Sequence, residues 1–100
     1  MEPIMPGAFP KMSSRARIQT DKVSGKPVLL FPEGVLILNE TGQAIVSLCT
    51  GEFTFAEIVR KLAEGYRVSE QTIGPEVTTY MNRLRDRNLL EIRSGTDTKL

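Results

Sequence analysis

Two short apolar runs, Val28-Leu29-Leu30-Phe31 and Val35-Leu36-Ile37-Leu38, flank Pro32-Glu33-Gly34 and constrain this chain more than any other feature. Proline fixes one backbone dihedral and glycine permits a positive φ, so the tripeptide reads as a turn between two strands. Both runs are apolar on successive residues and do not alternate, so each strand must be covered on more than one face. One face can meet helices, and the other needs a partner. Upstream, Ala16 to Val23 can run extended, and Ser24-Gly25 supplies a turn before Lys26 to Phe31. Three short antiparallel strands are expected.

The rest of the chain reads as helical. Asn39 can cap a helix on which Ala44, Ile45, Leu48 and Cys49 recur at helical spacing, and Gly51 suits the left-handed residue that ends it. Thr54-Phe55-Ala56-Glu57 is a capping box, with Phe53 and Ile58 where a hydrophobic staple requires them. Ile58, Val59, Leu62 and Ala63 then give an apolar stripe that Gly65 should end. Ser69 offers a further cap, but Pro75 would interrupt a helix there, so a short turn is expected over Ser69 to Ile73. The main helix is expected to begin with Pro75 at its first position and Glu76 beside the positive end of its dipole. Val77, Tyr80, Met81, Leu84 and Asn88 share one arc of it, and Leu89, Leu90 and Ile92 form an apolar closing segment.

This order predicts an α+β, winged helix-turn-helix-like fold: a three-stranded antiparallel sheet followed by three helices. With 100 residues the chain has room for one core. Residues 1–14, which carry Pro3, Pro6 and Pro10, are expected to be a disordered tail, 15–92 a single domain and 93–100 a frayed tail.

Charge and residue usage narrow the function. Thirteen Lys and Arg against twelve Asp and Glu leave no long-range field to gather nucleic acid or a membrane surface, so neither is an expected partner. The absence of histidine removes the commonest general base and the commonest zinc ligand together. Cys49 is the single cysteine, which excludes an internal disulfide and favours a reducing compartment such as the cytoplasm. Its place on an apolar helical arc marks it as a buried structural thiol. Glu33, Glu40 and Glu57 form no acid/base pair, and there is no glycine-rich phosphate loop or metal-ligand spacing. A chain with no catalytic residue and no cofactor is expected, not an enzyme.

A binding role fits better. In this order Val35, Leu36, Ile37, Leu38 and Asn39 form an edge strand whose unpaired amides and carbonyls offer a template for another chain. The last helix would lie alongside, so Tyr80, Met81, Leu84 and Arg85 can supply pockets and a charge for the side chains of an added peptide. Tyr80 and Leu84 read equally well as core, which leaves Met81 and Arg85, at the margin of the apolar arc, as the better candidates. Arg83, Arg85 and Arg87 resemble the basic face of a DNA-recognition helix. Asp86 and the balanced charge weigh against that, and Arg85 points well round from the Arg83 and Arg87 pair. A solvated basic face is the preferred reading of the arginines, with a winged-helix DNA-binding regulator and a homodimerisation module as the alternatives.

The motifs also carry a family resemblance. Leu29-Leu30-Phe31-Pro32-Glu33-Gly34, then Leu38-Asn39-Glu40-Thr41, Leu48-Cys49-Thr50-Gly51 and the Thr54-x-x-Glu57 helix start resemble, in that order, the PqqD family, over roughly Phe9 to Ile92. The resemblance implies a peptide chaperone in the biosynthesis of pyrroloquinoline quinone (PQQ). Such proteins resemble the recognition elements of ribosomal peptide-modifying systems, in which a leader adds to the third strand and runs along the last helix. By the same resemblance the partners are the precursor peptide PqqA and PqqE, a radical S-adenosylmethionine enzyme that joins a Glu to a Tyr and holds the iron-sulfur clusters itself.

Overall fold

The structure, a computed structural model, describes residues 3–94. Its elements are β1 (Phe9–Met12), β2 (Arg17–Thr20), β3 (Pro27–Phe31), β4 (Gly34–Ile37), α1 (Glu40–Leu48), α2 (Phe55–Tyr66), α3 (Glu70–Asp86) and β5 (Leu90–Arg93). Strands β2, β3 and β4 form one antiparallel sheet in that order, and β1 and β5 form a second, two-stranded one. The expected α+β arrangement of an antiparallel sheet before three helices is present.

The register explains the unbroken apolar runs. Leu29 faces Leu36, Val28 faces Ile37 and Leu30 faces Val35 across the β3–β4 hairpin. Leu29, Phe31, Leu36 and Leu38 pack with the core, which leaves Val28, Leu30, Val35 and Ile37 on the opposite face. Under the inner face lie Ile45 and Val46 of α1, Ile58, Val59, Leu62 and Ala63 of α2, and Ile73, Val77, Met81 and Leu84 of α3. Cys49 joins them at 3% exposure. Strand β2 ends at Thr20, short of the extended run expected to reach Val23, because the Asp21 carboxylate accepts from the Ser24 amide and hydroxyl and folds the chain into a turn. Gly34 does not use a positive φ. Its turn is a tight two-residue connection between Phe31 and Gly34.

Four further expectations are corrected. The segment 1–14 is not a disordered tail throughout: β1 pairs with β5 from Phe9 with Arg93 to Met12 with Leu90, and Ile4 and Ala8 are buried. Prolines here give up donors but keep carbonyls, and the first turn of α2 has amides to satisfy. Phe55 N–H donates to the Ala8 carbonyl at 2.8 Å and Ala56 N–H to that of Pro6 at 3.0 Å. Both partners lie far away in sequence, beyond the reach of local pattern. Arg93 accordingly sits in a strand and Ser94 is exposed, while the remainder of the tail expected at 93–100 lies outside the described residues.

Helix α2 passes through Gly65 and ends with Arg67 at φ 58°. Arg67 and Val68 amides donate to the Glu64 and Ala63 carbonyls, a Schellman closure in which an arginine takes the place glycine usually holds. Helix α3 is capped by Ser69 and begins at Glu70, not Pro75. The Ser69 hydroxyl accepts from the Thr72 amide at 3.1 Å, and Ile73 is buried against the core. Gly74 has no side chain to meet the following proline ring, and Pro75 removes only the donor that Gln71, exposed to water, would otherwise receive. The packing of Ile73 and the cap together outweigh that one lost bond.

Candidate functional site: an open strand edge beside the last helix

The hydrogen-bond pattern of β4 defines the site. Leu38 N–H donates to the Pro27 carbonyl at 3.1 Å. In an antiparallel ladder, pairs that bond inward alternate with pairs whose groups point away, so Leu36 and Gly34 also bond toward β3. The N–H and C=O groups of Val35 and Ile37 therefore point to the other edge, where no strand of the described residues pairs with β4. Val35 is 55% exposed and Ile37 70%.

Two clefts flank this edge. One, of about 490 Å³, is bounded by Leu36, Ile37, Leu38 and Asn39 on the strand side and by Tyr80 and Arg83 on α3. The other, of about 450 Å³, lies between Glu33, Gly34 and Val35 and the helix end at Arg87 and Asn88. The C-terminal half of α3 thus runs beside the open edge, opposite in direction to β4.

The expected site residues divide into two groups. Val35 and Ile37 offer the backbone edge, while Leu36 and Leu38 turn their side chains to the core. Asn39 borders the larger cleft, but its carboxamide oxygen is engaged as the α1 cap, accepting from Gly42 N–H at 2.6 Å. Tyr80 is half-buried, lies against Gly42 so closely that a Cβ there would sit 2.6 Å from its Cζ, and carries the Arg83 guanidinium 6.0 Å from its ring centroid. Burial raises the Tyr80 pKa, with Arg83 opposing the shift.

Met81 and Leu84 are corrected. Both are 0% exposed, so their side chains offer no surface to a bound chain. With Ile73 and Val77 they form the stripe that seats α3 on the core. Arg85 is half-buried, donates to Asn82 Oδ1 at 2.6 Å and borders neither cleft. In their place the structure brings Arg83 and Arg87, the pair read as a solvated face, to the open edge. The signal was present in the spacing: 80, 83 and 87 fall on one side of a helix.

Among the described residues no group of three or more His, Cys, Asp or Glu could hold a metal ion. Burial pushes the Cys49 thiol up to about 12, far from a reactive thiolate. No helix of the described residues is long and apolar enough to cross a membrane.

Fold and site together define a small α+β domain of winged helix-turn-helix-like form with an open sheet edge beside its last helix. The family model described as coenzyme PQQ synthesis protein D matches residues 27–90, and the chain belongs to the PqqD family. Similar relatives include the PqqA binding protein of Methylococcus capsulatus, 36% identical over 66 residues (66% of this chain and 71% of the relative). That of Rhodopseudomonas palustris strain TIE-1 is 33% identical over 88 residues (87% of this chain and 86% of the relative). Among solved structures, the solution structure of the PqqD part of Methylobacterium extorquens PqqCD, a stand-alone recognition element for ribosomally made, modified peptides, is similar. Its TM-score is 0.70 at 27% identity, covering 86% of this chain and 97% of that one.

Proposed function

We propose that this chain is a non-catalytic cytoplasmic peptide chaperone of PQQ biosynthesis, which binds the precursor peptide PqqA as an added strand on β4 and presents it to the radical S-adenosylmethionine enzyme PqqE. The observation that carries the reading is the outward backbone of Val35 and Ile37 beside α3. Relatives named for binding PqqA supply the identity of the peptide. Strand addition provides affinity through main-chain bonds, and side-chain clefts provide selectivity. Holding the peptide while touching the enzyme raises its effective concentration at the enzyme.

Titration of isotope-labelled protein with PqqA peptide, followed by amide shifts, tests this. Shifts are expected over Val35 to Asn39 and along the Tyr80 side of α3. A saturating titration that leaves the Val35 and Ile37 amides unmoved rejects strand addition. Duplex DNA is the counter-probe: binding that weakens steeply with salt would favour a regulator instead.

A further inference from the structure

We infer that Arg83 and Arg87 form a two-pronged reader for an acidic peptide, engaging two carboxylates of the bound chain that are separated by one residue. The inference rests on the strand-addition reading and says which peptide side chains that edge selects. Each cleft has an excess of positive charge. Lys26 and Arg83 face Glu40 alone in the larger one, and Arg15 and Arg87 face Glu33 alone in the other. Glu33 is already paired with Arg15 at 3.7 Å. Among the described residues neither Arg83 nor Arg87 has a carboxylate within 4.0 Å.

The geometry sets the spacing. Arg83 and Arg87 stand one turn apart, about 6 Å along the axis of α3. Residues on the same side of an extended chain repeat every two positions, about 6.6 to 6.8 Å. A strand laid on β4 turns alternate side chains toward α3, so an Asp or Glu at one position and another two residues along would each meet one guanidinium. Arg83 is held for this by the Tyr80 ring beneath it. Planar guanidinium groups favour carboxylates through paired hydrogen bonds.

The test combines Arg83→Gln, Arg87→Gln and the double variant with PqqA peptides in which each Asp and Glu is changed singly to its amide. The double variant is expected to bind unmodified PqqA peptide about tenfold more weakly at low salt, with the loss shrinking as salt rises. Two amide substitutions, one residue between them, are expected to weaken binding to the unsubstituted protein. Each should have no further effect on the variant lacking its arginine. Unchanged affinity in a folded double variant whose Val35 and Ile37 amides still shift would overturn this inference and leave strand addition standing. Coupled carboxylates at any other spacing would overturn it equally. If no peptide moves those amides, both readings fall.

Discussion

Replacing Ile37 by proline should separate the two edges of β4 in a single pair of measurements. The Ile37 N–H points away from β3, so proline there breaks no bond of the sheet, and an edge strand tolerates its ring. Leu36 precedes it and already has the extended conformation that a following proline requires. The Ile37 side chain is 70% exposed, so its loss costs little core. A stability change below about 1 kcal/mol is expected by denaturant unfolding. Affinity for PqqA peptide, by calorimetry, should fall more. One ladder bond is worth about 0.5–1.5 kcal/mol, and the ring obstructs the approaching carbonyl, so a loss of about 1–2 kcal/mol, or roughly 5- to 30-fold in Kd, follows. Leu36→Pro is the control with the opposite expectation. It removes an inward donor and orphans a carbonyl of β3, for about 1–3 kcal/mol of stability. If Ile37→Pro unfolds as readily as Leu36→Pro, the outward direction of the Ile37 amide is wrong. If folded Ile37→Pro binds PqqA peptide undiminished, strand addition is wrong.

Gly42→Ala should force Tyr80 from its place, lowering stability by about 1–3 kcal/mol and weakening peptide binding in the same variant, measured by melting and calorimetry. The Glu57 carboxyl lies below its ordinary 4.5 because it accepts from the Thr54 backbone amide in the capping box. Its stabilising contribution is therefore present above pH 4.5 and lost as the pH falls through the lower folded value. The melting-temperature gap between the protein and Glu57→Gln should be flat at neutral pH and narrow in acid. A gap that widens in acid would contradict the cap. Cys49, pushed up to about 12 by burial, should resist thiol reagents at about pH 8 in the native protein and react at once in denaturant.

The parts of the fold that rest on neighbours in sequence were legible. The Thr54 capping box is made as the residues require, with the Thr54 hydroxyl accepting from Glu57 N–H at 3.1 Å and Glu57 Oε1 from Thr54 N–H at 2.8 Å. The unbroken apolar runs called for two covered faces; the helices cover one, and the hairpin keeps an apolar outer face on which Val35 and Ile37 are exposed. The strand edge was legible too, since strand order alone leaves β4 on the outside. The start of α3 was hidden because two local rules conflict there, a serine cap against a proline, and the burial of Ile73 decides between them. Which arc of α3 faces β4 was hidden for another reason: a helix pattern shows which residues cluster, not where the centre of the buried stripe falls. Here it falls on Met81 and Leu84, which turns Arg83 and Arg87, not Arg85, to the groove.

The pairing of β1 with β5 has a consequence for how the molecule is made. On the ribosome β1 emerges before the other described elements, and the strand that completes its ladder is the last of them to appear. Until then one edge of Phe9–Met12 is unmatched, and the segment that carries two acceptors for the opening turn of α2 is held on the other edge alone, by Met12 N–H on the Cys49 carbonyl and Gly51 N–H on the Pro10 carbonyl. The β2–β3–β4 hairpins and α2 can form early from local contacts, but the belt that joins β1 to β5 closes only after β5 has been made. Truncations that spare the peptide edge but trim either end would therefore yield a protein with its groove intact and its belt undone.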